Sequence, residues 1–197
     1  YTNRGRIITP LKDRYGAQIR THYPQSIEDE ITIMEQERAH FPNEKDISTP
    51  QFMKEIIAEI TSLARRSSDI NQRSGVSVRV SIANYETIIS NAARRSIMRG
   101  EKGVCPRISD LPFIVSSFTG KVELETFEEG REGKVLEELS KKAVLNAFGR
   151  FVDGKDLDGM ILQFDEGLAV ETGSEKASKD YMELLDRAEG LPPVVKQ

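Results

Sequence analysis

The sequence predicts a mainly α-helical fold. Long stretches repeat apolar residues at helical spacing, and residues typical of a helix start precede two of the predicted helices, at Ser26 and at 48–50. Only two short segments, near 17–21 and 160–172, have a pattern typical of strands. We therefore expect a helical bundle that is preceded by one isolated strand and followed by a helical extension with a short β-hairpin.

The composition narrows the class of protein. The chain has 197 residues, of which 38% are hydrophobic and 30% charged, and its mean hydropathy of −0.46 is typical of a soluble, polar protein. No apolar run approaches the roughly 18 residues of a membrane span, and the net charge of −4 makes nucleic acid an unexpected partner. The single cysteine, Cys105, excludes an internal disulfide and favours a reducing, cytoplasmic location.

The first element is a short helical turn. Thr9 is a good N-cap with Pro10 at the first helical position, and Gly16 can adopt the positive φ that ends helices. Asp13 and Arg14 then lie at the end of this turn, directly before the predicted strand 17–21. From these residues alone, a surface ion pair at a helix end is the favoured interpretation.

Three helices are predicted next. Ser26 begins the first, over 27–40, with an acid three residues later as in a weak capping box. Pro50 begins the second, which runs to about 66 with a wide apolar stripe. The third covers about 80–99, with Arg79 at its N-terminal edge and a basic end that we interpret as a solvated face, formed by Arg94, Arg95, Arg99 and Lys102.

The sequence after residue 99 predicts further helices. A domain boundary is expected near 100–106, and the following elements are a short apolar helix ending at Gly120, a long helix over 131–152, the hairpin 160–172 and a last helix over 179–188. The glutamates of 121–130 are interpreted as solvated. The acids at 153, 156 and 158 do not fit the calcium-loop register, and the two histidines with Cys105 have no zinc spacing, so no metal site is predicted.

Arg79 is a candidate binding residue. A cation at a helix N-terminus opposes the helix dipole, which favours anions there. An anion held between Arg79 and the helix end would resolve this conflict. The alternative is a solvated arginine without a ligand.

Two motifs carry a resemblance to a known family. Gly5 and the run 10–16 (Pro-Leu-Lys-Asp-Arg-Tyr-Gly) resemble the end of the AAA+ ATPase core in the magnesium chelatase ATPase subunit and its relatives. By this resemblance Arg14 is an arginine finger that acts in trans, and Asp13 orients it. The turn 75–79 resembles the sensor 2 motif, in which Arg79 contacts ATP in cis.

One position departs from that family's pattern. The family usually has an arginine directly before the proline of the finger motif, and Thr9 stands there in this chain. Arg4 and Arg6 could supply that charge, so the assignment of the finger to Arg14 is not unique.

The resemblance also implies a domain organisation. Residues 1–24 would be the end of the ATP-binding core, 25–106 a helical lid, and 107–197 a helical C-terminal extension for which no functional motif can be quoted. The chain has no Gly-x-x-x-x-Gly-Lys-Ser/Thr loop. We therefore expect the C-terminal part of a longer ATPase, which needs ATP and Mg²⁺ but is inactive alone and binds neither tightly.

The resemblance implies a ring-forming, hexameric ATPase that remodels a partner protein. Its expected partners are other copies of the chain in the ring and a partner protein that is remodelled at the expense of ATP. The alternative is a non-catalytic helical protein-interaction module, in which Arg14 and Arg79 form only ion pairs.

Overall fold

The computed structural model describes residues 9–42, 44–126, 130–152 and 157–185, and the fold is mainly α-helical, as predicted. The helices are α1 Thr9–Lys12, α2 Ile27–Glu37, α3 Gln51–Ala64, α4 Arg79–Arg99, α5 Val115–Thr119, α6 Arg131–Phe151, α7 Asp158–Asp165 and α8 Ser178–Leu185. Two 3-10 helices, Glu44–Asp46 and Ile108–Ile114, lie between them. Within the described ranges, no helix is long and apolar enough to cross a membrane.

Helix α3 is the centre of the core. It packs against α2, α4 and α6, and its buried apolar residues are Met53, Ile56, Ile57, Ala58, Ile60 and Ala64. The same buried cluster continues through Val135 and Leu139 of α6. Residues on both sides of the expected boundary near 100–106 therefore contribute to one hydrophobic core.

The predicted cap of α2 is present. Ser26 has an extended backbone, and its hydroxyl accepts a hydrogen bond of 3.0 Å from the backbone N–H of Asp29. This bond satisfies one of the N–H groups that a helix leaves unpaired at its start. Three acids in the first turn, at 28–30, add a favourable interaction with the helix dipole.

We expect Ser26→Ala to lower the free energy of unfolding by ~1 kcal/mol, because the capped N–H loses its acceptor. Urea denaturation followed by circular dichroism would measure the change. Ser90→Ala is the matched control, since Ser90 is an exposed serine within α4. An equal loss of stability in both variants would contradict the assigned cap.

Neither predicted strand forms. Residues 17–21 have no regular secondary structure and are exposed, and they form no ladder with any described part of the chain. A strand needs a neighbour to pair its backbone groups, and none of the described segments lies beside this one. Among the described residues the only β pairing is two isolated bridges, Ile47 with Val104 and Ile70 with Leu124.

The predicted hairpin 160–172 is also wrong, because its first half is helix α7. The turn that we expected between two strands ends this helix instead: Gly167 has φ +104°, and the N–H of Leu168 donates to the carbonyl of Gln163 at 2.8 Å. This is the bond pattern with which a left-handed glycine closes a helix.

Arg95 corrects a further prediction. It was expected on a solvated basic face, but only 1% of its surface is exposed. Its guanidinium donates to Asp110 at 2.5 Å and to the carbonyl of Cys105 at 2.7 Å, and Asn91 donates to the same carboxylate at 2.7 Å. The backbone N–H of Arg107 donates to the other carboxylate oxygen of Asp110 at 2.8 Å. This cluster joins α4 to the 3-10 helix Ile108–Ile114.

A pH-dependent contact closes the end of α2. Arg38 donates to one carboxylate oxygen of Glu44, and the backbone N–H of Phe41 donates to the other at 3.1 Å. These hydrogen bonds, that from Arg38 first, lower the pKa of Glu44 from 4.5 to about 2. A lowered folded-state pKa means that the contact stabilises the protein above the unfolded pKa, and that this contribution is lost as the pH falls toward 2.

We therefore expect Glu44→Gln to lower the thermal midpoint at neutral pH and to have a progressively smaller effect below the ordinary glutamate pKa. Thermal melts of both proteins across this acidic range would measure the convergence. Glu37→Gln is the control, because Glu37 is an exposed residue at the end of α2. A difference that stays constant with pH would contradict the role of the Glu44 carboxylate.

Candidate functional site

Arg79 begins the long helix α4. Its side chain is exposed and forms no hydrogen bond or ion pair with the described part of the chain. The first turn of α4 contains no acidic residue, and the N-cap residue, Val78, has no side chain that could cap the helix. The positive end of the helix dipole therefore carries a further full positive charge, and no described group of the chain neutralises it.

An open cavity of about 600 Å³ lies directly before this helix start. Ser77 and Val78 line one side, and the segment 22–25 with part of α2 lines the other. Asp29 is the only acid among the lining residues. The cavity is large enough for a small organic ligand, since such sites usually have several hundred Å³.

Tyr23 attaches the N-terminal segment to the bundle at this cavity. Its hydroxyl accepts a hydrogen bond of 3.0 Å from the backbone N–H of Val76, and the Arg65 guanidinium stacks 4.5 Å from the ring centroid. Gly75 is required at this turn for two reasons. Its φ is +73°, and a Cβ placed there would lie 2.6 Å from the Tyr23 hydroxyl.

A buried charged network supports the same region. Arg65 donates to both carboxylate oxygens of Glu30, at 2.7 and 3.0 Å, and to the carbonyl of Val76 at 2.9 Å. Ser81 donates to Glu30 at 2.6 Å and contacts the Thr61 hydroxyl at 2.7 Å. The network therefore joins α2, the end of α3 and the first turn of α4.

Sequence reasoning missed this network. Its members are 35 and 51 residues apart along the chain, so no local pattern joins them. The available signal was Glu30, an acid on the same face of α2 as Ile27 and Met34. A charge on an apolar face usually has a buried partner, and this one is 1% exposed.

Arg14 lies after α1, in a segment that packs against little of the described chain. Residues 9–23 are all exposed. The side chains of Asp13 and Arg14 form no hydrogen bond or ion pair with each other or with any other described residue. No described contact brings Arg14 to Arg79, so their joint role stays a prediction. Arg4 and Arg6, the alternative sources of charge, lie outside the described residues.

No described cluster has the composition of a metal site. Groups of three or more His, Cys, Asp or Glu that could hold an ion do not occur among residues 9–42, 44–126, 130–152 and 157–185. The acids at 153 and 156 lie outside these ranges. The start of α4 suits an anion rather than a cation, because the Arg79 guanidinium and the helix dipole are both positive there.

A second surface feature is an apolar groove between the 3-10 helix Ile108–Ile114 and α6, which we call the α6 groove. Its main cavity has about 660 Å³ and adjoins a smaller one of about 210 Å³, and both are lined by Ile108, Val144 and Phe148. Leu145, another lining residue, is 69% exposed. An exposed apolar groove is one of the surface forms that interaction sites take.

Comparisons with known proteins do not identify a family for this chain. No family model matches the sequence, no curated protein matches it, and no solved structure matches it. A functional interpretation therefore depends on the residues and contacts described above.

Proposed function

We propose that this chain is the C-terminal part of a ring-forming, ATP-dependent AAA+ ATPase of the magnesium chelatase type. In this proposal Arg79 contacts the nucleotide in cis, Arg14 reaches the nucleotide of a neighbouring subunit, and Asp13 orients Arg14. Hydrolysis then drives the remodelling of a partner protein. The observation that carries the proposal is Arg79, an exposed arginine at the start of α4 without a partner in the described chain.

The surroundings of Arg79 support anion binding. The Arg79 guanidinium is a positively charged donor, and the positive end of the α4 dipole also favours negative charge. The neighbouring cavity has room for a ligand larger than a single ion. A nucleotide, which combines phosphates with a flat base and a sugar, suits this combination of charge and space.

The exposure of Arg14 supports a role between subunits. A finger that acts in trans cannot be occupied by its own chain, and Arg14 has no intramolecular partner among the described residues. A guanidinium is always charged, and its planar fork fits phosphate oxygens. The segment 9–23 is exposed along its whole length, as expected for a surface that a neighbouring domain or subunit covers.

The contacts of Tyr23 support coupling between the two arginines. Tyr23 joins the segment of Arg14 to Val76, three residues before Arg79, and to the Arg65–Glu30 pair. A movement of the helical bundle would therefore carry both segments together. Movements of this kind on nucleotide turnover can drive work on a partner.

The proposal includes ATP and Mg²⁺ as ligands of the complete ATPase, and the phosphate-binding loop would come from residues upstream of this chain. It also includes a cytoplasmic location, which the single cysteine supports. A phosphate-binding loop in the reading frame upstream of Tyr1 would support this part of the proposal, and a reading frame without one would contradict it.

We expect Arg79→Ala to weaken nucleotide binding by at least ~10-fold in the protein expressed from the complete reading frame, because a charge-assisted contact to phosphate is lost. Titration with a fluorescent ATP analogue would measure the affinity, and phosphate release would measure turnover. Arg73→Ala is the control, since Arg73 is an exposed arginine in the preceding loop. Unchanged affinity and turnover in Arg79→Ala would overturn the assignment.

A second candidate function is a non-catalytic helical interaction module. The α6 groove favours it, because this groove is largely apolar and open to solvent. The two candidates are distinguished by the nucleotide titration, since an interaction module would bind ATP no better than its Arg79→Ala variant.

A further inference from the structure

We propose that residues 171–185, which we call the strap, are a displaceable cover on a cationic surface at the end of α4. In the structure the strap occupies this surface from within the chain. When the strap leaves, the surface binds an acidic peptide segment of the same chemistry. The residues involved are not those of the proposed nucleotide site, so failure of this inference would leave the proposed function untouched.

The surface and the strap have opposite charge. The surface lies where α4 ends and the chain turns toward the 3-10 helix Ile108–Ile114. Its side chains include Glu101 and four exposed or half-exposed cations, namely Arg94, Arg99, Lys102 and Arg107. The strap contains four acids and two lysines. Contact between the two is therefore favoured by charge complementarity.

Arg94 binds the first acid of the contact. Its guanidinium donates to the Glu175 carboxylate at 2.8 Å, and both side chains are nearly half exposed. This hydrogen bond, together with the charges of Arg94 and Arg99, lowers the pKa of Glu175. The acid of the strap thus interacts with more than one cation of the surface.

Arg107 and Glu101 bind the middle of the strap. Arg107 donates to the carbonyl of Lys176 at 2.6 Å and to the hydroxyl of Ser178 at 2.7 Å. Glu101 accepts from the backbone N–H of Ser178 at 2.5 Å and from its hydroxyl at 3.0 Å. The surface therefore recognises an acid, a backbone carbonyl and a serine at the start of a helix, in that order along the peptide.

Tyr181 gives the strap a compact form. Its hydroxyl accepts from the N–H of Gly173 at 3.0 Å and donates to the carbonyl of the same residue at 2.9 Å. The Arg107 guanidinium lies 4.8 Å from the centroid of the tyrosine ring. Helix α8 and the residues before it therefore contact the surface as one unit.

The strap is held without burying apolar surface. No residue of 157–184 is buried, and the described hydrophobic core has no member from the strap. A cavity of about 540 Å³, lined by Arg99, Lys102 and Ala177 among others, remains between the strap and the end of α4. Hydrogen bonds and ion pairs between exposed groups contribute little stability and are weakened by salt. The strap can therefore leave the surface while α3 and its neighbours stay packed.

Hydrogen–deuterium exchange followed by mass spectrometry measures this opening. We expect the amides of the strap to exchange about 10-fold faster in about 0.5 M than in about 0.05 M sodium chloride, because salt screens the charged contacts. Exchange within α3 should stay unchanged, since its contacts are apolar. A strap that does not respond to salt, or that responds only together with α3, would overturn the proposal.

Arg107→Gln is expected to produce the same fast exchange of the strap at low salt. Arg150→Gln is the matched control, because Arg150 pairs with Glu55 at 3.0 Å rather than with the strap. Circular dichroism would verify that both variants keep the wild-type helix content. An equal effect of the two substitutions on the strap would overturn the proposal.

A charge exchange tests the pairing of strap and surface. We expect Arg94→Glu to accelerate exchange of the strap, since two acids then face each other, and Arg94→Glu with Glu175→Arg to restore slow exchange. Restoration supports the proposed contact. A double variant as unprotected as Arg94→Glu alone would overturn it.

The last experiment tests the surface itself, with a fluorescent peptide of residues 171–185 as the probe. In the full chain, Glu175→Ala with Ser178→Ala weakens the strap and leaves the surface intact. We expect this double variant to bind the peptide at least ~10-fold more tightly than wild type, because the tethered wild-type strap competes at high effective concentration. Addition of Arg107→Gln should remove the gain. Equal affinity for wild type and the double variant, or a gain that persists with Arg107→Gln, would overturn the proposal.

Discussion

Arg14→Ala is expected to abolish ATP turnover, by about 10³-fold or more, while nucleotide affinity stays at the wild-type value. An arginine finger stabilises the charge that develops on the transferring phosphoryl group, and its loss typically costs several orders of magnitude in rate. Because Arg14 would act on the neighbour's nucleotide only in the transition state, its removal should not change ground-state binding. Phosphate release and analogue titration of the protein from the complete reading frame would measure both quantities.

Two controls make this result specific. Arg20→Ala removes an equally exposed arginine from the same segment and should leave turnover unchanged. Mixing Arg14→Ala with Arg79→Ala subunits should restore part of the activity, because some interfaces then combine an intact finger with an intact sensor. A mixture as inactive as its components would contradict action in trans, and a normal rate for Arg14→Ala alone would contradict the finger.

Asp110→Ala is expected to lower the free energy of unfolding by about 3–5 kcal/mol. Arg95 is buried, and removal of its carboxylate partner leaves an uncompensated charge in the interior. The amide of Asn91 and the backbone N–H of Arg107 lose an acceptor as well. Urea denaturation followed by circular dichroism would measure the change.

The double variant Arg95→Met with Asp110→Leu distinguishes the cost of an unpaired buried charge from the cost of lost packing. Removing both partners should recover much of the lost stability, because no buried ion is then left unpaired. Glu137→Ala is the exposed control: Glu137 pairs with Lys141 at 2.6 Å, but both side chains are mostly in solvent, so we expect no measurable change. A loss below about 1 kcal/mol for Asp110→Ala would contradict the account of the cluster.

The helix starts could be predicted from the sequence because their causes are local. Ser26 and Pro50 precede α2 and α3 as expected, and α4 and α6 begin within one residue of the predicted positions. Each start depends on a capping residue, a proline or a change in periodicity, all within a few positions. The end of α2 was predicted less accurately, since the helix stops at Glu37 rather than near 40.

The two strand predictions failed for different physical reasons. The segment 17–21 has the alternation of a strand, but alternation cannot show whether a pairing neighbour exists. The run 160–164 is short and apolar, and such a run fits either a strand or a helix. There the helix satisfies its own backbone groups locally, whereas a hairpin would need a second strand of matching register.

The candidate site was predictable only in part. Arg79 could be selected as a candidate because its conflict with the helix dipole is visible in the sequence. The burial of Arg95 could not be predicted, because its partner, Asp110, belongs to another element and the surrounding basic residues suggested a solvated face. The Glu30–Arg65 pair was missed for the same reason, since both depend on packing between distant helices.

The fit between Gly75 and Tyr23 has an evolutionary consequence. Any side chain at position 75 would collide with the tyrosine hydroxyl, and that hydroxyl is the acceptor for the next amide along the turn. A substitution at either position would therefore disturb the residue at the other. Among homologous proteins we expect Gly75 and Tyr23 to be conserved together. We expect the glycine to be substituted only where the tyrosine has already been replaced by a residue without an aromatic ring.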